Sequence, residues 1–165
     1  MKNIILIGMP GVGKSTIGVI LAKEIGYQFI DADLLIQRQE GRLLKDIIAS
    51  EGVDGFIEIE NKVNAAVDVT EAVIATGGSA VYGKEAMEHY KQTGTIVYLK
   101  CPYRILRKRL GDLKGRGVVL KDGQTLRDIY EERSLLYEKY ADIIVDENKK
   151  GLEETLSLLM EKLGR

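Results

Sequence analysis

The residues best suited to do chemistry stand in the stretch GMPGVGKST at positions 8–16. It matches the pattern G-x-x-x-x-G-K-[ST]. Glycines let the backbone wrap around a phosphate with its N–H groups pointing inward, and the helix that follows directs its N-terminus at the anion. A lysine here reaches the β and γ phosphates, and the serine hydroxyl can bind Mg²⁺. The motif predicts a nucleoside-triphosphate site formed by Gly8, Gly11, Val12, Gly13, Lys14, Ser15 and Thr16. The alternative is a glycine-rich turn without a ligand.

Two aspartates, Asp31 and Asp33, follow the second apolar run of the chain. The carboxyl ends of strands face the ligand crevice in open parallel sheets. Carboxylates at that place can hold a metal ion or accept a proton from a substrate hydroxyl. Either aspartate could instead only cap the next helix. Gly77 and Gly78 follow a later run and leave backbone N–H groups free for a ligand, although such a pair taken alone is more often a turn.

Five short apolar runs predict the β-strands that must position these residues. They are Ile4–Ile7, Gln28–Ile30, Val73–Thr76, Thr95–Leu99 and Ile143–Val145. Amphipathic helical patterns lie between them, among them 16–25, and a last helix is predicted at roughly 151–163. Strands rich in Ile and Val, separated by helices, predict a parallel sheet covered on both faces with right-handed crossovers. The fold class is therefore α/β in three layers, and 165 residues suit one domain over 1–165.

Two regions depart from the alternation of strands and helices. Residues 33–70 carry two or three helical patterns without a strand, broken near Gly41 and at Gly52–Gly55, which predicts a helical insertion. Residues 111–124, GDLKGRGVVLKDGQ, contain four glycines and five charged residues. This composition predicts a mobile loop.

The composition excludes several classes of function. The net charge of −1, from 24 basic and 25 acidic residues, argues against a nucleic-acid or acidic-membrane partner. No apolar stretch is long enough to predict a transmembrane helix. A single cysteine, Cys101, allows no internal disulfide and fits a reducing compartment. We therefore expect a cytoplasmic protein that acts on a small molecule, as a monomer.

Taken together, these motifs resemble the shikimate kinase family, in the nucleoside-monophosphate-kinase-like branch of P-loop proteins. The similarity runs nearly end to end and rests on GMPGVGKST, DAD at 31–33, FIEIE at 56–60, ATGGS at 75–79, Arg109 seven residues before Arg116, and ERSLLYEKYAD at 132–142. It implies the P-loop kinase fold, with five parallel strands in the order 2-3-1-4-5. It also implies a substrate-binding region at about 33–61 and a lid at about 111–124. The implied reaction is phosphorylation of shikimate to shikimate 3-phosphate by ATP with Mg²⁺.

The resemblance also assigns roles in phosphoryl transfer, which depends mainly on positioning and charge neutralisation. The implied catalytic residues are Lys14 on the transferring phosphate, Asp33 on the attacking hydroxyl, and Arg116 of the lid on the charge that develops. Ser15 and Asp31 would serve Mg²⁺.

Binding roles are implied for four further residues, together with Asp33. Arg109 would pack against the adenine of the nucleotide. Asp33 would hold the substrate hydroxyls, while Gly77 and Gly78 would touch the substrate. Arg133 would pair with the substrate carboxylate. A solvated surface charge is the alternative for each arginine.

One departure from the family bears on the substrate. The resemblance implies an arginine as a second clamp on the carboxylate, but this chain has Ile57 there, so Glu60 loses its usual salt-bridge partner; the third glycine of the GGG motif is Ser79. A charge-assisted hydrogen bond contributes about 1.5–3 kcal/mol, so carboxylate binding would weaken roughly ten- to hundredfold.

Three explanations of this departure stay open. The protein could be a weak shikimate kinase, a Lys or Arg from elsewhere could substitute, or the substrate could be another small acid, polyol or nucleotide. A degenerate nucleotide-binding module is a further alternative, against which the intact lysine, aspartate and lid arginine argue.

Overall fold

The computed structural model describes residues 2–110 and 119–165. Its strands are β1 (Asn3–Ile7), β2 (Gln28–Asp31), β3 (Ala72–Ala75), β4 (Gly94–Lys100) and β5 (Ile143–Asp146). They form one sheet in the order β2-β3-β1-β4-β5, and each neighbouring pair is parallel. The predicted order is confirmed, and each predicted strand end lies within one residue of the observed one.

Seven helices are described: α1 (Lys14–Ile25), α2 (Ala32–Glu40), α3 (Leu44–Ala65), α4 (Lys84–Thr93), α5 (Tyr103–Arg109), α6 (Leu126–Tyr140) and α7 (Leu152–Lys162). Helix α1 packs on the first three strands and against α7, while α4 and α6 pack on β4. None of the helices in the described ranges is long and apolar enough to cross a membrane.

The centre of the sheet is β1, whose five residues are all buried. Its one polar residue, Asn3, is paired on both sides. The Asn3 amide nitrogen donates to the Val69 carbonyl at 2.9 Å, and the Ala72 N–H donates to the Asn3 amide oxygen at 3.0 Å. These bonds satisfy the buried amide and fix the entry of β3 against β1.

The predicted helical insertion consists of α2 and α3. Gly41, in the left-handed region with φ 67°, caps α2, and Gly52, with φ 75° and ψ 175°, kinks α3. Both predicted breaks are therefore confirmed. A second apolar cluster joins the two helices to Val119 through Ile36, Ile47, Phe56 and Val63.

The predicted lid falls only partly within the described residues. Residues 111–118, which include Arg116, lie outside them. Of the remainder, Val119 is buried in the second apolar cluster, and Gly123 adopts φ 82° shortly before α6 begins.

Candidate active site

The loop after β1 forms a cradle because glycine stands where the chain must pass close to β4. Gly8 has φ 149°, and a Cβ there would lie 2.7 Å from the Leu99 carbonyl oxygen. The loop then closes directly into α1, whose first turn is made by the Ile17 N–H donating to the Gly13 carbonyl at 2.9 Å. The result is a helix N-terminus behind a glycine-rich loop, the arrangement expected for an anion site.

Lys14 lies buried along this loop. Its ammonium group donates to the carbonyl oxygens of Gly8 at 2.7 Å and Met9 at 2.9 Å. Burial lowers the pKa of Lys14 to about 8, although Asp33 acts in the opposite direction. A phosphate beside the ammonium would raise its pKa, because an opposite charge favours the charged form.

Asp31 has two sets of contacts, one for each carboxylate oxygen. Its Oδ1 accepts from the backbone N–H groups of Asp33 at 2.9 Å and Leu34 at 3.3 Å, so it caps α2. Its Oδ2 accepts from the Ser15 hydroxyl at 3.5 Å. The capping alternative is thus correct for Asp31, yet one oxygen remains beside Ser15 at the phosphate loop.

The Ser15–Asp31 pair fits magnesium better than a metal held by protein ligands alone. Within residues 2–110 and 119–165, no group of three or more His, Cys, Asp or Glu side chains could hold a metal ion. Mg²⁺ usually keeps several waters and takes one or two protein ligands plus substrate phosphates. Two oxygens beside a phosphate loop therefore suffice for it.

Asp33 stands where two cavities meet. One cavity follows the phosphate loop and includes Lys14; the other lies between α2, α3, α6 and the end of β3, and we call it the acceptor cavity. Four residues line both cavities: Pro10, Asp33, Gly77 and Gly78. Burial, and then the neighbouring Asp31, raise the pKa of Asp33, while Lys14 lowers it.

The glycines after β3 allow the backbone to approach charged side chains. A Cβ at Gly77 would lie 2.7 Å from Asp33 Oδ1 and 2.8 Å from Glu60 Oε2. A Cβ at Gly78 would lie 2.6 Å from the Pro10 ring. Tyr137 donates to the Gly78 carbonyl at 2.5 Å, which fixes this turn from α6.

Arg133 is buried, with only 1% of its surface exposed. Its guanidinium donates to the Val119 carbonyl at 2.8 Å and to the Tyr82 hydroxyl at 3.4 Å, and lies 5.5 Å from the centre of the Tyr82 ring. One nitrogen lies next to Gly78, 3.1 Å from where a Cβ would stand. The guanidinium is thus held in place at the wall of the acceptor cavity.

Glu60 is the second carboxyl group of the acceptor cavity. Its Oε1 accepts from the Ser79 hydroxyl at 2.6 Å, while Oε2 has no hydrogen-bond partner in the described part of the chain. Burial raises the pKa of Glu60 to about 7. Ser79 thus bonds the carboxylate that the family resemblance pairs with an arginine at position 57.

Two further charged residues, Arg109 and Glu147, lie near the phosphate loop. Arg109, the last residue of α5, donates to the Gly11 carbonyl at 2.9 Å. Glu147 follows β5 and is buried; burial raises its pKa to about 7, against the effect of Arg109 and Lys14. The sequence did not single out Glu147, although its place at a strand end is a signal of the same kind as that of Asp31.

Comparison with known proteins agrees with this geometry. A family model described as shikimate kinase matches residues 10–164. A shikimate kinase from Bacillus anthracis is 34% identical, with 99% of each chain covered. The solved shikimate kinase from Acinetobacter baumannii in complex with shikimate has a TM-score of 0.87 at 32% identity, covering 99% of this chain and 94% of that one. The shikimate kinase from Aquifex aeolicus has a TM-score of 0.82 at 30% identity, with 98% and 96% covered.

The chain belongs to the shikimate kinase family. It is therefore a small-molecule kinase, with the P-loop kinase fold that its sheet order and phosphate loop display. Within this shikimate kinase fold, the sequence-predicted residues Lys14, Ser15, Asp33, Gly77, Gly78 and Arg133 come together around the two adjoining cavities. Asp31 does not line either cavity but contacts Ser15 beside them.

Ile57 does not line the acceptor cavity of this family member. It lies half-buried in a neighbouring cavity together with Asp54, Lys121 and Arg133. Arg133 and Val119 line both of these cavities. Sequence reasoning found Ile57 from the family pattern, but it had no signal for the residues that surround it, since these come from α3, α6 and the segment between residues 119 and 124.

Proposed function

We propose that this protein transfers the γ-phosphoryl group of ATP to a hydroxyl group of shikimate. The observation that carries the proposal is the position of Asp33, which lines both the phosphate-loop cavity and the acceptor cavity. A carboxylate at that junction can orient an acceptor hydroxyl toward the phosphate and accept its proton as the new phosphorus–oxygen bond forms and ADP leaves.

The other residues would serve charge and position. Lys14 would exchange the carbonyl oxygens that it now contacts for the β and γ phosphates of the nucleotide. Ser15 and Asp31 would hold Mg²⁺, which supplies positive charge at those phosphates. Arg109, already in contact with the loop at Gly11, would pack against the adenine.

The acceptor would be held on the side of Asp33 that faces away from the phosphate loop. Arg133, fixed by Val119 and Tyr82, would bind the carboxylate of shikimate. Gly77 and Gly78 would contact its ring. Arg116 would neutralise charge during transfer, as the family resemblance implies.

A second candidate is a kinase for a different small hydroxy compound on the same scaffold. Ile57 favours it, because an apolar side chain stands where the family resemblance implies a second carboxylate clamp. The two candidates agree on the phosphate loop and on Asp33, and they differ only in what the acceptor cavity selects.

An ADP-release assay with ATP, Mg²⁺ and a panel of shikimate, gluconate and nucleoside monophosphates separates the candidates. We expect shikimate-dependent ADP release and a product heavier than shikimate by one phosphoryl group in mass spectrometry. A Lys14→Met variant provides the control that should bind shikimate and release no ADP. Release with another member of the panel and none with shikimate would favour the second candidate.

A further inference from the structure

The cavity beside Ile57 contains a basic side chain that the family pattern does not use. Among the described residues that line the acceptor cavity, Arg133 is the only basic one. The neighbouring cavity adds Lys121, and Val119 and Arg133 line both cavities. A carboxylate bound by Arg133 would therefore lie beside a cavity whose lining includes a second cation, Lys121.

Lys121 lies close to the position that Ile57 occupies. Its ammonium nitrogen is 3.6 Å from Asp54 Oδ1, and Asp54 precedes Ile57 by three residues on α3. Residues three apart on a helix are neighbours on its surface, with Cβ atoms about 5–6 Å apart. The ammonium group thus lies within one helical turn of the place where the family resemblance puts a guanidinium.

The ion pair with Asp54 does not hold Lys121 firmly. The side chains of Lys121 and Asp54 are 58% and 89% exposed, and exposed ion pairs contribute little to stability. The lysine can therefore leave Asp54 for an anionic ligand at small cost.

The backbone of Lys121, by contrast, is anchored on both sides. Arg133 donates to the carbonyl of Val119, two residues earlier, at 2.8 Å. The Lys121 N–H donates to the side-chain oxygen of Gln124 at 2.9 Å. The residue that would bind the carboxylate from one side thus also holds the segment that carries the second cation.

We propose that Lys121 determines acceptor specificity by binding the carboxylate together with Arg133, in place of the arginine that Ile57 replaces. The inference rests on the proposed function, because it takes the acceptor to carry a carboxylate. An ammonium is a compact point charge without the planar fork of a guanidinium. Lysine therefore supplies the charge of the missing clamp but not its paired hydrogen bonds.

The test is steady-state kinetics of Lys121→Met with shikimate. We expect the KM for shikimate to rise about tenfold, the size of one charge-assisted hydrogen bond, while kcat and the KM for ATP stay near wild type. Lys121→Arg should keep the wild-type KM. Lys91→Met removes a comparable exposed lysine, paired with Asp142 at 3.0 Å, and should change none of these constants.

Two further variants separate binding from a structural role. Asp54→Asn breaks the ion pair but leaves the lysine, so the KM for shikimate should stay the same or fall. A rise equal to that of Lys121→Met would overturn the inference. Ile57→Arg should restore the KM in the Lys121→Met background, since the new guanidinium reaches the same boundary between the cavities.

The outcomes for the two proposals are distinguishable. Suppose that wild type turns over shikimate normally and that Lys121→Met has the same KM for shikimate. This result would overturn the role of Lys121 and leave the proposed function standing. A wild-type protein that releases no ADP with shikimate would overturn both.

Discussion

Asp33 is held in an environment that makes its carboxylate a better base. Burial and the adjacent Asp31 raise its pKa, since both penalise the charged form. The charge of Lys14 opposes this effect and lowers the pKa of Asp33. A base of raised pKa accepts a proton from a hydroxyl more readily, which supports the role proposed for Asp33.

Asp33→Asn tests this assignment. The amide has the same shape but cannot accept the proton, so we expect kcat to fall by about 10²- to 10⁴-fold. Binding of ATP, measured by calorimetry, should change little because the phosphate loop is untouched. A comparable loss in ATP binding would instead indicate a metal-binding or structural role for Asp33.

Glu60 predicts a pH dependence of stability. Its pKa rises from 4.5 to about 7 because the folded state buries it. The folded protein therefore binds this proton more tightly than the unfolded chain. The resulting stabilisation is fully present below about pH 4.5 and is lost as the pH rises through about 7.

Glu60→Gln removes this titration. The free energy of unfolding of the variant, relative to wild type, should rise by up to about 3 kcal/mol between about pH 4.5 and pH 8. Urea denaturation across that range measures the difference. Glu58→Gln, an exposed neighbour on α3, is the control and should show no such rise. Parallel pH profiles for wild type and Glu60→Gln would contradict the burial of a titrating carboxyl.

At the residue scale, the sequence identified the groups whose place follows from a local rule. Lys14 and Ser15 follow from the phosphate-loop spacing, and Asp31 from its place at a strand end. The Ser79–Glu60 hydrogen bond joins residues 19 apart and depends on how α3 packs against the end of β3. No local pattern contains that information, so only the structure reveals it.

At the element scale, α6 carries Arg133 and begins with a capping box. The Thr125 hydroxyl accepts from the Asp128 N–H at 3.1 Å, and the Asp128 carboxylate accepts from the Thr125 N–H at 2.9 Å. These bonds satisfy N–H groups that the first turn of a helix leaves free. The cap therefore fixes the start of the helix that positions Arg133, for which we propose carboxylate binding.

Thr125→Ala should lower the free energy of unfolding by about 1 kcal/mol, the usual contribution of an N-cap side chain. Chemical denaturation monitored by circular dichroism measures this loss. Thr125→Ser keeps the hydroxyl and should stay close to wild type. An equal loss in both variants would mean that the threonine methyl group, and not the cap, is what stabilises α6.

The strands could largely be predicted from the sequence, because strands buried on both faces of a parallel sheet consist of continuous apolar runs. The first helix was predicted from Thr16 but begins at Lys14, since the glycine-rich loop passes directly into its first turn. Gly52 predicted a break in the helical pattern, yet the chain is helical again directly after this residue. A glycine indicates where a kink is possible but not the direction in which the chain continues.

At the scale of the whole molecule, the order of the strands came from the family resemblance and not from the strand patterns. The apolar runs of β3 and β4 are equally suited to pair with β1. Which strand lies beside which therefore depends on the packing of the helices between them. Asn3 contributes to that arrangement, since its amide joins the start of β1 to the segment that leads into β3.

Asn3→Ala should cost about 1–3 kcal/mol of stability, because the Val69 carbonyl and the Ala72 N–H lose their partner in a buried place. The kcat at low temperature should not change, as Asn3 lies at the opposite end of β1 from the phosphate loop. Gln28→Ala is the control, for its exposed amide donates to the nearby Thr70 carbonyl at 3.3 Å. It should cost less than about 0.5 kcal/mol. Equal losses would contradict the importance of the buried pairing.

The central position of β1 also sets when the phosphate loop can form during synthesis. This strand precedes both of its neighbours in the chain. During synthesis it therefore stays unpaired until β3 and then β4 have emerged from the ribosome. Pairing of such distant segments is slow, and unpaired apolar edges are prone to aggregate. Gly8 has no side chain and can therefore pass close to the Leu99 carbonyl of β4. A nascent chain that stops before β4 therefore lacks the strand against which its phosphate loop closes.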